Sequence, residues 1–506
     1  MIKETVLTLS FLALPYVAHA QRSLLDWMEY NMTSQGSFSH GNTPLWLNAN
    51  HYGISSLEEN NGYIRGSIQR RVSNDSTRKW GIGYCIDIVA TSHYTSHMII
   101  QQAFAEFRWL KGVLTVGSKQ QPMELKNNHL SSGSQTFGIN ARPTPEVRLS
   151  LPEYWNIPGT RQWLKIKGHI AYGSYTDGNW ESDFTHQEAK YSKHILLHTK
   201  SGYLKVGKEE SFPLSIEMGL EMATQFGGKT YFPDGTIVRG GKKLSDFWKV
   251  FWGKGGDPSD GAYDNAEGNA LGSWVFRLNW DQPSWQLSLY GDHYFEDHSQ
   301  MFFLDYDGYG SGEAWNEKEK RHYIHYRLKD IMLGTELTLK KGTWVKHAVL
   351  EYITTKDQSG AMYHDHGTLV SYHVGGGDNY YNHGIYPGWE HWGQVMGNPL
   401  YFSPIYNTDH QMKVEDNRFI AWHFGIDGSI LSQIDYRLLA THRKGWGTYE
   451  DPFLKKQYDT SLLVELAYHF HHGWTLQGAF GLDHGSSLGN NHGLQITISK
   501  TGLLNR

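Results

Sequence analysis

Residues 462–474 read LLVELAYHFHHGW, and this stretch decides the fold class. Every second residue from Leu462 to Phe470 is apolar or aromatic, whereas Glu465 and His469 fall on the opposite phase. A period of two residues places successive side chains on opposite faces of a β-strand, whereas a helix would scatter both sets around its axis. The strand ends in a His-His-Gly turn between Phe470 and Trp474. One apolar face, a tight turn and aromatic residues beside the turn are typical of strands that cross an outer membrane.

Four further stretches repeat this alternation. Their polar residues are Lys165, Lys167 and His169; Arg277 and Asn279; Asp330, Glu336 and Thr338; and Gln495, Thr497 and Ser499. The alternate positions in these stretches are mostly Leu, Ile, Phe and Trp. We predict that Arg277, Lys165 and Glu465 face the lumen of a barrel, because the apolar phase of such strands faces lipid.

The connections between the apolar stretches come in two sizes. Short turns include Leu110-Lys111-Gly112, Lys341-Gly342-Thr343 and His471-His472-Gly473, and long connections run over about 120–162, 227–272, 295–329 and 355–417. Outer-membrane barrels alternate tight periplasmic turns with long external loops in this way. The sequence therefore predicts an all-β fold, a transmembrane antiparallel outer-membrane β-barrel of about 16–18 strands whose long external loops fill the lumen. The strands of 176–213 cannot be assigned from the pattern.

A secreted β-sandwich or propeller would also show alternating strands. Aromatic residues beside the short turns favour the membrane barrel, because amphipathic rings form girdles at the bilayer interface. These residues are Trp109, Trp280, Trp285, Trp344, Phe470 and Trp474.

Composition narrows the class of protein further. The chain has 506 residues, of which 14% are aromatic, and it contains 55 Gly and only 15 Pro. A mean hydropathy of −0.54 excludes a bundle of membrane-spanning helices, and the aromatic content argues against disorder. The net charge of −5 provides no basic surface for nucleic acid. One cysteine, Cys85, excludes a disulfide framework, and we interpret its thiol as inert and either buried or lipid-facing.

The N-terminus has the pattern of a cleavable signal peptide. Residues 1–20 contain a positively charged start, an apolar stretch and the small-residue motif Ala18-His19-Ala20. We therefore expect export to the outer membrane of a Gram-negative bacterium. The expected organisation is a signal peptide at 1–20, a periplasmic or lumenal segment at 21–60, and the barrel at 61–506.

Several segments resemble the capsule assembly family called Wzi, in its Bacteroidetes-type form. The resemblance rests on TPLWLNANHYG at 43–53, NARPTPEVRL at 140–149, HTK at 198–200, GLE at 219–221, QFGG at 225–228, DNYYN at 378–382 with Gly388-Trp389, GNPL at 397–400, SPIYN at 403–407, and Asn417-Arg418 before His423 and Gly425. These segments are spread over nearly the whole mature chain. The resemblance implies an outer-membrane β-barrel with a lectin-like role in holding or organising capsular polysaccharide at the cell surface.

The long segment 355–417 is the richest in residues that could contact sugar. Aromatic faces can stack on sugar rings, and Asp, Asn and Gln can hydrogen-bond to hydroxyl groups, but the same residues could instead pack together as a lumenal plug. Segment 131–150 adds Arg142, which could bind the carboxylate of an acidic sugar or form an internal ion pair with Glu146. The glycan-binding or plug candidates are Asn140, Arg142, Glu146, Asp378, Asn379, Tyr380, Tyr381, Trp389, Tyr406, Asn407 and Arg418.

Other motifs are weak signals for chemistry. His364-Asp365-His366 lacks the further ligands that zinc needs, and Asp305, Asp307 and Glu313 do not have calcium-loop spacing. The G-x-S-x-G match at 485–489 lies between two strands and not at a strand-to-helix elbow. We therefore predict a protein that is not an enzyme, with no catalytic residues, no cofactor and no metal.

Two functions remain open at this point. The first is a monomeric outer-membrane lectin that contacts lipid and capsular or other surface polysaccharide, and the second is a porin or sugar-permeable channel. A channel needs an open lumen, whereas a lectin tolerates a plugged one.

Overall fold

The fold is a closed β-barrel of 18 antiparallel strands. A computed structural model describes residues 25–76, 78–253, 268–296, 329–363 and 374–504. The barrel strands are β1 Glu29–His40, β2 Asn60–Arg70, β3 Trp80–Ser92, β4 Met98–Trp109, β5 Gly112–Ser118, β6 Pro145–Asn156, β7 Leu164–Ser174, β8 Leu196–Val206, β9 Leu214–Phe226, β10 Asn269–Asp281, β11 Trp285–Glu296, β12 Ile331–Leu339, β13 His347–Thr354, β14 Phe419–Leu431, β15 Ile434–Gly447, β16 Pro452–His469, β17 Trp474–Gly485 and β18 Asn490–Leu503. Each strand pairs with its neighbours in the chain, and β1 closes the barrel by pairing with β18.

Two barrel strands lie where the sequence predicted none. Strand β1 falls inside the expected N-terminal segment 21–60, so the barrel begins well before residue 61. Among its outward-facing positions, Met32 and Phe38 are interspersed with small and polar residues, so the sequence shows only a weak alternation of apolar and polar side chains. Strand β6 falls inside the expected loop 120–162, and its register shifts between Leu151 and Trp155, around Pro152. Proline cannot donate to the ladder, which is why this stretch resembles a loop in the sequence.

The predicted facing of the strands is confirmed. Along β16, Val464 and Leu466 are each 47% exposed on the outer face, whereas Leu463 is 1% exposed. Glu465 faces inward and accepts a hydrogen bond from Arg437 at 2.7 Å. Arg277 donates to Glu336 at 2.8 Å across the inner wall.

Lys165 shares the inner face of β7 with Lys167. The Lys167 ammonium bonds to Glu124, which lies in the connection between β5 and β6. Lys165 itself lies 3.7 Å from Glu209 at the short-turn end. All three residues that were predicted to face the lumen therefore do so.

The two ends of the barrel differ as predicted. At one end the eight connections are two to nine residues long. Exposed aromatic side chains flank them, which is the arrangement of an interfacial girdle. They include Trp109, Trp280, Trp344, Phe470 and Trp474. At the other end, six of the nine connections are long, namely 41–59, 119–144, 175–195, 227–268, 297–330 and 355–418.

The long connections contain the remaining short elements. Helices α1 Leu45–Asn48, α2 Gly178–Phe184 and α3 Leu244–Trp252 each lie in one of them. In a three-stranded sheet, Lys229–Tyr231 pairs with Tyr191–Lys193 on one side and with Ile237–Arg239 on the other. Two further pairs join Ser359–Tyr363 to Val374–Gly377 and Glu390–His391 to Gln394–Val395. The region 176–213, which the pattern could not resolve, thus contains α2, a short strand and β8. Among the described residues, no helix is both long and apolar enough to cross a membrane.

The hydrophobic core lies inside the barrel and not between layers. Leu45 and Trp46 from connection 41–59, Leu130 from connection 119–144, and Tyr401 from connection 355–418 pack into one buried cluster with inward residues of the wall such as Tyr290. The predicted filling of the lumen by loops is therefore observed. Residues 1–20, Asp305, Asp307, Glu313 and the His364–His366 motif lie outside the described residues.

Candidate functional site

The long connections fill the lumen as a unit that we call the lumenal plug, formed by residues 41–59, 119–144 and 378–417. Carboxylates on the inner wall hold it in place. Glu351 on β13 accepts hydrogen bonds from Ser131 Oγ and Ser132 Oγ, both at 2.5 Å, from Ser132 N at 2.9 Å, and from Tyr290 Oη at 2.6 Å. Asp292 on β11 pairs with Lys126 at 2.7 Å and accepts from Gln135 N at 2.9 Å. Charge-assisted bonds of this kind fix the position of an irregular segment.

The aromatic candidates of segment 355–417 mostly pack inside the plug. Tyr380 and Tyr381 are fully buried, and Tyr381 stacks on Tyr401 with ring centroids 3.9 Å apart. The Tyr381 hydroxyl donates to Gln135 O, and Trp389 Nε1 donates to Thr136 O at 2.9 Å. These contacts join segment 378–417 to segment 119–144. Of the two interpretations left open for these rings, plug packing is the one their contacts fit.

Three candidates from segment 131–150 also lie in or beside the plug. Asn140 is buried and accepts from Asn50 N at 3.0 Å while donating to Val395 O at 3.0 Å. The expected internal pair between Arg142 and Glu146 is not formed. Glu146 instead lies on β6 and bonds to Arg148 at 2.9 Å, because β6 begins at Pro145 and turns that carboxylate toward its own strand.

Arg142 is buried and forms its hydrogen bonds with neutral groups. Its guanidinium donates to Thr95 and to Ser96 at 3.2 Å, and it lies over the Trp392 ring at 4.2 Å. Burial lowers the pKa of Arg142 to about 10. Because its guanidinium bonds to Thr95 and Ser96 in the connection between β3 and β4, Arg142 holds the loops together, and these contacts leave it less able to bind an acidic sugar.

Two further candidates fix the end of the plug. Tyr406 Oη accepts from Asn48 Nδ2 at 3.3 Å. Asn407 donates to Gln411 O at 2.8 Å and to Lys413 O at 2.7 Å. Both side chains have structural partners within the first and last plug segments.

The remaining candidates lie at the surface of the plug, where the long connections end. Asn379 is half-buried and donates to Glu450 at 3.3 Å. Arg418 is also half-buried, and its guanidinium lies over the ring of Tyr449 at 3.6 Å from the centroid. Asp378 is the neighbour of Asn379 and is likewise half-buried. These three are the predicted residues that a large ligand could reach.

Beside the predicted residue Arg418 lie side chains that were not predicted from the sequence, namely Tyr449, Trp446, Lys356 and Lys444. Tyr449 is 49% exposed and lies in the four-residue connection between β15 and β16. Nearby, the ammonium groups of Lys356 and Lys444 lie 5.4 and 5.2 Å from the ring centroid of Trp446. We call the group formed by Lys356, Arg418, Lys444, Trp446 and Tyr449 the rim patch. The only sequence signal for the rim patch is the connection between β15 and β16. This connection is short, so it does not stand out beside the long loops.

A cavity lies beneath the plug, against the inner faces of β6, β7 and β8. Its volume is about 130 Å³, and its lining includes Phe137, Glu146, Arg148, His169, Tyr203 and Trp389. Cavities of about 150 Å³ admit a single six-membered ring. The lining combines aromatic faces with ionised and hydrogen-bonding groups, as small-molecule sites do.

The G-x-S-x-G match at 485–489 lies between two strands, as predicted. Residues 486–489 form a tight turn between β17 and β18, in which Ser487 N donates to Asp459 at 2.9 Å. This is not the strand-to-helix elbow that an activated serine requires. The thiol of Cys85 is buried.

Comparisons with known proteins agree with this architecture. The family model described as capsule assembly protein Wzi matches residues 34–313. The structure of Wzi from Escherichia coli, titled an outer membrane protein involved in group 1 capsule assembly and a carbohydrate-binding β-barrel, aligns with a TM-score of 0.57 at 14% identity, over 96% of this chain and 87% of that one.

More distant barrels also align with the chain. OccK5 from Pseudomonas aeruginosa aligns with a TM-score of 0.46 at 8% identity, over 94% of this chain and 98% of that one. OprD from the same organism aligns with a TM-score of 0.43 at 8% identity, over 95% and 96% of the two chains. No curated protein sequence matches the chain significantly.

Proposed function

Because the chain belongs to the Wzi capsule assembly family, we propose that it is a lectin-like outer-membrane protein that attaches or organises capsular polysaccharide at the cell surface. The observation that carries this proposal is the rim patch. At the end of the barrel that carries the long connections, it places Arg418 beside the exposed Tyr449 ring, and Lys356 and Lys444 beside the half-buried Trp446 ring. That end is the external one in outer-membrane barrels.

The chemistry of the rim patch suits an acidic polysaccharide. The Tyr449 ring offers a flat face for the C–H side of a sugar, while Arg418 offers a planar guanidinium that matches a carboxylate. Lys356 and Lys444 add charge without a fixed geometry. A repeating polymer can place successive sugars on such a surface without entering the barrel.

The packed lumen argues against the alternative of a porin or sugar channel. Eighteen strands could enclose an aqueous pore, but here the plug is bonded to wall carboxylates on β11 and β13.

We further propose that the protein acts as a monomer and performs no catalysis. Polysaccharide recovered after incubation with the protein should therefore keep its original length distribution.

Binding to the capsular polysaccharide of the host tests the proposal. Purified protein in detergent should bind this fraction, and Tyr449→Ala should weaken binding by about fivefold, which corresponds to about 1 kcal/mol for one aromatic contact. Arg418→Gln should weaken binding to a carboxylated polysaccharide and have less effect on a neutral one. Cells that carry either variant should release capsule into the medium at a normal level of barrel protein.

The matched control is Tyr468→Ala. Tyr468 is a similarly exposed tyrosine near the short-turn end, where its hydroxyl donates to Gln433 at 3.1 Å. Equal binding by the parent protein and the Tyr449 and Arg418 variants would contradict the role of the rim patch. If instead Arg148→Met in the cavity reduces binding, the sugar contact lies there, and Arg108→Met at the opposite end serves as its control.

A further inference from the structure

Three acidic side chains from two of the long connections meet in the interior. Asp177 and Glu181 come from the start of α2 in connection 175–195, and Glu390 comes from the short strand at 390–391. Each of the three residues is only 1% exposed. One oxygen of each carboxylate lies within 4.8 Å of the others.

Each carboxylate uses one oxygen to accept a backbone N–H. Asp177 Oδ2 accepts from Trp392 N at 2.7 Å, Glu181 Oε2 from Ser192 N at 2.7 Å, and Glu390 Oε2 from Gly393 N at 2.8 Å. The second oxygen of each, namely Asp177 Oδ1, Glu181 Oε1 and Glu390 Oε1, has no hydrogen-bond partner among the described residues. Three buried carboxylate oxygens without a donor are costly unless a cation or protons neutralise them.

The neighbouring cationic groups are engaged elsewhere. Lys190 Nζ donates to the backbone oxygens of His383 and Tyr386. Arg142 is held by Thr95 and Ser96, and both ring nitrogens of His391 have partners, Arg142 O and the Thr176 hydroxyl. No ion pair to the three carboxylates is found in the described part of the chain.

We propose that Asp177, Glu181 and Glu390 bind one Ca²⁺ ion, which ties connection 175–195 to connection 355–418. An all-oxygen donor set selects a hard cation over zinc, which prefers nitrogen and sulfur ligands. The carboxylate oxygens lie within 4.8 Å of one another, which lets one ion contact all three. Ca²⁺ accepts many protein oxygens in a flexible geometry, whereas Mg²⁺ loses its waters reluctantly and usually takes only one or two carboxylates.

Terbium luminescence provides a direct readout on the purified full-length protein. Trp392 donates its backbone N–H to Asp177, and its ring lies 6.2 Å from that of Trp180. Indole excitation should therefore sensitise Tb³⁺ bound at this site. In chelator-treated protein we expect a saturable signal of one Tb³⁺ per chain, displaced by Ca²⁺ and at least tenfold less well by Mg²⁺.

Substitutions then assign the signal to these residues. Glu181→Gln and Glu390→Gln should each weaken Ca²⁺ binding at least tenfold and remove the rise in melting temperature that Ca²⁺ gives the parent. Asp330→Asn is the control, because Asp330 is a buried carboxylate whose two oxygens already accept from Asp357 N at 3.0 Å and Gln358 N at 2.5 Å.

Three results of these experiments would overturn all or part of the proposal. A parent protein with neither a saturable signal nor a Ca²⁺-dependent melting temperature would overturn the proposal, whether or not the variants fold. A signal that survives in both glutamine variants would also overturn it, and equal displacement by Mg²⁺ would overturn the choice of Ca²⁺. None of these readouts depends on polysaccharide binding, so the calcium site can fail or hold independently of the proposed function.

Discussion

Trp389 shows how a single side chain serves the plug. Its ring is 1% exposed, its indole N–H donates to Thr136 O, and it forms part of the cavity wall. The residue thus joins two segments that are 253 positions apart in the chain. The main role of the Trp389 ring is therefore to stabilise the plug. It can contact a ligand only if that ligand lies inside the cavity.

We expect Trp389→Ala to lower the free energy of unfolding by about 3–5 kcal/mol, because a large buried aromatic leaves a cavity when it is truncated. Trp389→Phe should cost less, since it keeps most of the ring and loses mainly the bond to Thr136 O. Thermal unfolding of the detergent-solubilised barrel measures both. Equal stability of the alanine variant and the parent would contradict the packing described for this ring.

His383 is expected to make the plug sensitive to acid. Burial, together with the nearby Lys190 ammonium, lowers the pKa of His383 to about 4, so the ring is neutral in the folded protein at pH 7. The unfolded value of about 6.5 is higher. The unfolded chain therefore takes up a proton first, and this stability contribution is present above about pH 6.5 and is lost as the pH falls towards 4.

The variant His383→Asn tests this dependence. Its side-chain oxygen can replace Nδ1 as acceptor for Ile385 N and Tyr386 N. The drop in melting temperature between pH 7 and pH 4.5 should be smaller in this variant than in the parent. His472→Asn, in the exposed turn before β17, should leave the drop unchanged.

At the scale of elements, β16 and its neighbours show the clearest strand alternation in the sequence. Substitutions that change charge should affect stability differently on the lipid-facing and lumen-facing sides of β16. Leu466→Arg should cost about 2–4 kcal/mol, because Leu466 is 47% exposed on the lipid side. Glu465→Ala should cost about 1–3 kcal/mol, because it leaves Arg437 without its 2.7 Å partner. Glu465→Gln should cost less, since an acceptor remains. Folding yield and urea unfolding in detergent would check the order, and a harmless Leu466→Arg would contradict the facing of β16.

Glu351 is one of the wall carboxylates that hold the connection 119–144. Glu351→Gln should loosen it by about 1–3 kcal/mol, because an amide cannot accept as many hydrogen bonds as the carboxylate that receives Ser131, Ser132 and Tyr290. Amide hydrogen exchange should speed up at residues 127–136 in this variant. Glu153→Gln, on an exposed position of β6, is the control. Unchanged exchange in the Glu351 variant would show that other contacts position this connection.

Elements with regular alternation could be predicted from sequence, because their side chains report directly on lipid and lumen. The strand around Glu465 is such a case, whereas β1 has too polar an outer face and β6 is interrupted at Pro152. The contacts of the candidate site were harder to predict from the sequence. The bonds of Glu351 and Asp292 to the plug, and the meeting of Glu181 with Glu390, arise from loop paths and strand register that a local pattern does not contain.

At the scale of the whole molecule, the plug should determine the permeability of the barrel. We expect the parent to pass little current in planar bilayers, and a variant in which 379–413 is replaced by a short Gly-Ser linker to conduct more, because removing this plug segment opens part of the lumen that the 18-strand wall encloses. Both proteins should migrate faster in SDS gels before boiling than after it. High conductance of the parent would favour the channel alternative.

The closing pair of strands has a consequence for the order of assembly. Every other neighbouring pair joins strands that follow one another in the chain, but β1 meets β18 in a register that runs from Glu29 opposite Leu503 to His40 opposite His492. The cylinder can therefore shut only after its final strand has been delivered, and until then it remains an open, curved sheet with a lateral gap. The plug segments that contain Thr136 and Trp389 lie inside the wall that this last pairing closes.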